Sequence, residues 1–176
     1  MSDREYPAAP RAAVGAVALQ NDRVLLARRA RQPLQGEWSL PGGAVELGET
    51  LRQAVAREVL EECGLTVVPV SVLGVFDRID RDPEQRVRFH YVLVEFLCEV
   101  TGGALRAGSD ASEVCWAPLP EVRAGGRWGL APATLAAIEQ AVTEKAGMQK
   151  AGMENASGTA AVTRGPKVTI TELQSG

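Results

Sequence analysis

The 176-residue chain predicts an α/β fold in which a mixed β-sheet is covered by helices on both faces, an α/β/α sandwich. Three observations lead there. Apolar, strand-like runs open the chain at 12–19 and 24–27 and return at 67–76, 87–100 and 113–117. A strongly helical stretch rich in Glu lies between these groups, leading in from Gly48-Glu49-Thr50 and stopping at Gly64. A second helical pattern follows the last strand, at 132–146.

Residues 1–10 are polar and Pro/Ala-rich and form an N-terminal extension, so the domain proper spans 11–147. Gln20-Asn21-Asp22 separates the first two apolar runs and predicts a hairpin. Trp38-Ser39-Leu40 is a short strand ending at Pro41-Gly42-Gly43, where glycine opens backbone angles closed to other residues and permits a sharp turn. Gly64 suits a left-handed helix end, and Glu49 sits favourably near the positive helix start. Val67 to Phe76 and Val87 to Val100 are long strands, the second rich in β-branched and aromatic residues. Between them Asp77-Arg78-Ile79-Asp80-Arg81-Asp82 mixes charges before Pro83 and reads as a solvated loop, with a substrate-facing role as its alternative. Pro132 suits a first helical turn, Leu135, Ile138 and Val142 recur at helical spacing, and Gly147 offers a stop. Residues 148–176 turn to Gly, Ala, Ser and Thr and read as a flexible C-terminal tail in which 167–171 can form a short strand.

With 45% hydrophobic residues the chain can bury one sizeable core, and no second full domain fits. A net charge of -3, with sixteen scattered arginines, argues against a nucleic-acid polymer as partner and leaves room for a small anionic substrate carried by metal. Cys63, Cys98 and Cys115 are odd in number and far apart, with His90 the sole imidazole, which argues against zinc and for buried thiols in a reducing, cytoplasmic compartment. No signal-peptide pattern opens the chain and no run of 18 apolar residues occurs, so neither export nor a membrane span is expected.

The chemistry concentrates between Gly43 and Leu65, which reads Gly-x5-Glu-x7-Arg-Glu-x2-Glu-Glu-x-Gly-Leu. On a helix, Glu58, Glu61 and Glu62 share one arc while Val55, Ala56, Val59, Leu60 and Cys63 occupy the adjoining one. Like charges three and four residues apart repel, so such a cluster is either a solvated face or a site for a hard divalent cation. Mg²⁺ suits it, being an ion that prefers one or two carboxylates plus waters and substrate phosphate. The coincidence of a Pro-Gly-Gly turn, Glu49, the Arg57-Glu58 pair and Gly64-Leu65 decides for the cation.

At every defined position this stretch resembles the Nudix box, whose family hydrolyses pyrophosphates linked to another group. The resemblance implies the same α/β/α sandwich and Mg²⁺ or Mn²⁺. It makes Glu58 and Glu62 ligands, Glu61 a ligand or the group that deprotonates water, and the Gly43 carbonyl a further ligand. It also makes Arg57 and Glu49 the pair that steadies the glutamates. Such sites often recruit another acid from outside the box. Asp110 and Glu113, on a loop before Trp116, lead here, with Glu95 third. Glu95 lies within an apolar strand, where it must face solvent or find a partner.

Arg28 and Arg29 can clamp phosphates, and Phe76, Tyr91 and Trp38 can stack on a base, each with an ordinary surface or core role as its alternative. The flanking Gly-Glu-Trp-Ser-Leu-Pro-Gly-Gly and Phe-Asp-Arg-Ile segments look like the ADP-ribose pyrophosphatase branch, which favours cleavage of ADP-ribose to AMP and ribose 5-phosphate. Oxidised nucleoside triphosphates, nucleoside diphosphate sugars and dinucleoside polyphosphates are the alternative substrates. A non-catalytic ligand-sensing module is the alternative of another class, and family members commonly form homodimers. No phosphate-cradling Gly-x4-Gly-Lys-Ser/Thr motif is present, which removes a kinase-like reading.

Overall fold

The computed structural model describes residues 4–30, 35–108, 110–156 and 169–171, with side chains through residue 153. Strands β1 (Arg11–Gln20) and β2 (Arg23–Arg29) form the expected hairpin, with Leu19 opposite Val24 and Gln20 opposite Arg23. Its two-residue turn, Asn21-Asp22, takes positive φ at both positions (48° and 55°), the twist that matches flanking strands. β3 (Trp38–Ser39) and β4 (Gly42–Ala44) follow, then helix α1 (Leu51–Cys63), the long strands β5 (Leu65–Arg81) and β6 (Val87–Gly103), and β7 (Ala111–Pro118). The chain closes with α2 (Leu119–Arg123), a 3-10 turn (Gly126–Trp128), α3 (Pro132–Ala156) and β8 (Thr169–Thr171).

The sheet is mixed and runs in the order β3-β2-β1-β6-β5-β8, with β4 added beside β1 and β7 beside β2. β1 pairs parallel to β6 on one side and antiparallel to β4 on the other. Alternation along the strands then divides the core in two. Val14, Ala16 and Ala18 of β1 join Val94, Phe96 and Cys98 of β6 under Val55, Val59 and Cys63 of α1. Val17, Leu73, Phe76 and Leu97 face the opposite way, onto Trp128 and onto Ala137, Ile138 and Ala141 of α3. Full burial of a side chain such as Phe96, Leu25, Leu73 or Ile138 contributes roughly 1.5–3 kcal/mol. Both layers of the predicted sandwich are therefore present, and the thiols of Cys63 and Cys98 are buried.

Four details differ from the sequence expectation. β5 continues as strand through Arg81, because cross-strand pairing with β6 holds as far as Arg81 opposite Val87, so the charged segment at 77–81 is strand and not loop. α3 continues through Gly147 to Ala156, since each of its two glycines, Gly147 and Gly152, costs only about 1 kcal/mol and their flanks favour helix. The stretch read as a tail contains helix and also a strand, Thr169–Thr171, which pairs in parallel with Gly74–Phe76 of β5 within the 167–171 segment that the sequence allowed as strand. Leu60 of α1 is 52% exposed and lies off the buried seam. Near the N-terminus, the Tyr6 N–H donates to the Arg88 carbonyl at 2.8 Å and its hydroxyl donates to buried Asp82 at 2.9 Å, which ties the extension to the β5–β6 turn. No helix among the described residues is long and apolar enough to cross a membrane.

Candidate active site

The local sequence sets α1 in place at both ends. Thr50 and Gln53 form a capping box, the Thr50 N–H donating to Gln53 Oε1 at 2.8 Å and the Gln53 N–H to Thr50 Oγ1 at 3.3 Å. At the other end Gly64 takes φ 69°, and its N–H donates to the Leu60 carbonyl. Glu58 and Glu62 then rise toward β4, whose glycines leave room for them. A Cβ on Gly43 would lie 2.5 Å from Glu58 Oε1, and the Gly42 N–H donates to Glu62 Oε2 at 3.0 Å.

Arg57 is the hub of the acidic cluster. Its guanidinium meets both Glu49 oxygens, at 2.7 and 3.1 Å, and donates to Glu58 Oε1 at 2.9 Å, to Glu61 Oε2 at 3.2 Å and to the Ala44 carbonyl at 3.2 Å. These bonds, first of all the one to Glu49, raise the arginine above its usual range. The guanidinium and the Glu46 N–H hold Glu49 below its usual range. Burial pushes Glu58 up despite Arg57. It pushes Glu62 up to about 7 against the Gly42 N–H, with Glu58 and Asp110 adding repulsion and Arg29 offsetting part of it.

The loop that follows β6 brings in Asp110. It crosses the C-terminal end of α1, where the Arg106 N–H donates to the Cys63 carbonyl at 3.0 Å and the Gly108 N–H to the Glu62 carbonyl at 2.9 Å. A Cβ on Gly108 would lie 1.7 Å from the Glu61 carbonyl oxygen, so this approach needs glycine. Asp110 then accepts at its carbonyl from the Ala30 N–H at 3.0 Å, close enough to Glu62 for its charge to be felt there.

Beside β4 lies a cleft of about 160 Å³ lined by Gly42, Gly43, Arg29, Tyr91, Arg78, Asp80 and Glu95. Of the residues singled out from sequence for substrate binding, Arg29 and Tyr91 reach it, as do Gly43 and Glu95 from the other candidates. Arg28 does not: alternation along β2 turns it away, where its Nε donates to the Gly36 carbonyl and its Nη1 lies 3.7 Å from Glu113 Oε2. The same ion pair takes Glu113 away from the glutamates. Phe76 is only 6% exposed and packs in the α3-side core, leaving its ring no free face for a base. Trp38 meets Trp128 edge to face at 5.1 Å. Arg78 and Asp80 line the cleft too, from the 77–82 segment for which the sequence left a substrate-facing role as the alternative. Their signal was the period-two sequence Phe76, Arg78, Asp80, which marks one strand face leaving the core.

Among the described residues no three acidic, imidazole or thiol side chains converge as a ready metal cage. Glu58 and Glu61 are drawn to Arg57 and Glu62 to Gly42. The donor set still fits a hard cation. It is all oxygen, burial raises the pKa of its two half-buried members, Glu58 and Glu62, a cost that a bound cation would offset, and Glu61, with its side chain 57% exposed, has room to turn.

Residues 9–137 match the NUDIX domain family, and the chain belongs to it. It is 43% identical over 104 residues to an ADP-ribose pyrophosphatase of Methanocaldococcus jannaschii, an alignment covering 59% of each chain. It is 39% identical over 92 residues to an 8-oxo-dGDP phosphatase of Mus musculus, covering 52% of this chain and 26% of that protein. The chain thus spans less than two thirds of the length of either relative. Among solved structures, a MutT NUDIX hydrolase from Burkholderia pseudomallei superposes with a TM-score of 0.63 at 32% identity, over 75% of this chain and 98% of that one.

Proposed function

We propose that the chain hydrolyses the pyrophosphate bond of a nucleoside diphosphate linked to another group, with ADP-ribose the favoured substrate. The observation that carries this reading is the packing of Glu58 and Glu62 against Gly43 and Gly42, glycines that also line the cleft, with Arg57 bonded across to Glu49, Glu58 and Glu61. A pyrophosphate is already anionic, so attack by water requires its charge to be shielded and the water to be acidified. Mg²⁺ or Mn²⁺ supplies both when bound. Glu58, Glu62, Glu61 and the Gly43 carbonyl would hold it.

The rest of the chemistry falls to the chain's own groups. Arg57 orients Glu58 and Glu61 and takes its own orientation from Glu49. Asp110 stands near Glu62 and serves as the base that accepts the water proton, with Glu61 the alternative. Arg29, at the cleft wall, offers a guanidinium to a phosphate oxygen pair. ADP-ribose is favoured by the 43% identity to an ADP-ribose pyrophosphatase. An oxidised guanine nucleotide is the second reading, favoured by the 39% identity to an 8-oxo-dGDP phosphatase.

The test is a substrate panel with Mg²⁺: ADP-ribose, 8-oxo-dGTP, a nucleoside diphosphate sugar and a dinucleoside polyphosphate, with products resolved chromatographically. AMP and ribose 5-phosphate released fastest from ADP-ribose support the favoured reading. Faster cleavage of 8-oxo-dGTP moves the assignment to the second, and no cleavage of any member overturns both.

A further inference from the structure

Glu95 is the least expected residue in the cleft. It lies on β6 among Leu93, Val94, Phe96 and Leu97, is 4% exposed, and its Oε2 has no hydrogen-bond partner. Burial alone accounts for its raised pKa, with no cation or donor offsetting the cost. A buried polar group without a partner is expensive, and a leucine here would be cheaper for folding.

The fold nevertheless makes room for this carboxylate. Gly15 of β1 pairs with Glu95 across the parallel β1–β6 ladder, and a Cβ on Gly15 would lie 2.2 Å from Glu95 Oε2 and 2.8 Å from Oε1. The carboxylate is therefore laid over bare backbone, at the wall of the cleft that Gly42, Gly43 and Arg29 also line. An acid in that place repels phosphate, whereas Arg29 and Arg78 in the same cleft attract it. The substrate part that suits Glu95 is neutral and carries hydrogen-bond donors.

We propose that Glu95 is a specificity-determining residue that accepts a hydrogen bond from the neutral part of the substrate, a sugar hydroxyl or a base amino group seated over Gly15. The proposal rests on the reading of the chain as a nucleotide-type hydrolase and assigns the group that distinguishes one neutral moiety from another. Two sources share this donor chemistry, and fragments separate them.

The experiment measures binding of AMP, IMP, 2′-deoxy-AMP, ribose 5-phosphate and inorganic pyrophosphate to the Mg²⁺-loaded wild type, Glu95→Gln and Glu95→Leu. Calorimetry gives the affinities, and a melting curve is recorded for each variant. Glu95→Leu is expected to weaken at least one organic fragment by about 10- to 100-fold, with pyrophosphate affinity unchanged. Glu95→Gln, whose amide oxygen still accepts, should recover part of the loss. A loss for AMP that is absent for IMP identifies the base amino group, one absent for 2′-deoxy-AMP identifies the ribose hydroxyl, and one seen with ribose 5-phosphate identifies the distal sugar. Unchanged affinities across the panel in folded Glu95→Leu overturn the proposal. Failure of the ADP-ribose assignment would show separately, as absent turnover of ADP-ribose by the wild type, because the fragment affinities do not depend on turnover.

Discussion

Arg57 holds Glu49 through two parallel bonds, Nη2 to Oε1 at 2.7 Å and Nε to Oε2 at 3.1 Å, while its remaining nitrogen, Nη1, reaches Glu58 and Glu61. A lysine carries the same charge but has no planar fork and cannot face both sides of the cluster at once. Arg57→Lys is expected to keep the fold, seen in an unchanged far-ultraviolet dichroism spectrum, and to lower kcat by at least about tenfold. A lysine variant with wild-type turnover would show that charge alone, without the geometry, is what the site needs.

Glu58→Gln and Glu62→Gln remove negative charge with little change of volume. Each is expected to cost at least about two decades in turnover, and excess chelator should abolish activity that Mg²⁺ or Mn²⁺ then restores. Steady-state rates in either folded mutant equal to wild type would sink the ligand assignment, and full turnover in chelator would falsify the metal requirement.

Asp110 and Glu113 lie three residues apart and do different work. Glu113 answers Arg28 on the outward side of β2, whereas the charge of Asp110 is felt at Glu62. Asp110→Asn should lower turnover by about two to four decades with little effect on KM, and Glu113→Gln should stay within about threefold of wild type. If only Glu113→Gln collapses the rate, the outward assignment is wrong; if neither does, Glu61 takes the role of base.

Gly108 has no room for a side chain, because its Cβ would fall 1.7 Å from the Glu61 carbonyl oxygen. Gly108→Ala must push the loop off the end of α1 and break the bond to the Glu62 carbonyl. A loss of about 1–3 kcal/mol is expected, together with a fall in turnover because the same loop carries Asp110. Denaturant unfolding and kcat measured on one preparation check both. A variant as stable and active as wild type would mean that the loop has another resting place.

Burial raises Glu95 to about 7 from the 4.5 of an open chain, so between these values the folded protein binds a proton that the unfolded chain has released. Stability from this group is fully present below about pH 4.5 and is lost as pH rises through about 7, by at most about 3 kcal/mol. Comparing wild type with Glu95→Gln in metal-free denaturant titrations at pH 5 and pH 8 isolates the effect. The variant should gain on wild type as pH rises, and equal pH slopes would show that Glu95 is paired in solution.

The glutamate helix was legible in the sequence because its determinants are local: Thr50 and Gln53 cap it, Gly64 ends it, and the 3.6-residue period puts Glu58, Glu61 and Glu62 on one face. The β1–β2 hairpin was legible for the same reason, its turn being written in Asn21-Asp22. The Arg57–Glu49 pair was legible only as what the resemblance to the Nudix box implies, and the folded chain forms it.

What only the tertiary structure decided concerns residues whose meaning depends on a distant partner. Arg28 and Arg29 are neighbours in sequence, yet strand alternation sends one to Glu113 and the other to the cleft. The charged end of β5 became strand because β6 came alongside to pair with it, and Phe76 became core because α3 packed above it. Glu95 acquired its place through Gly15, eighty residues earlier, since only the β1–β6 register brings a bare backbone under that carboxylate. Local hydrogen bonding and periodicity specify elements, but which face of a strand meets a core, a cleft or solvent is settled by the elements that pack against it.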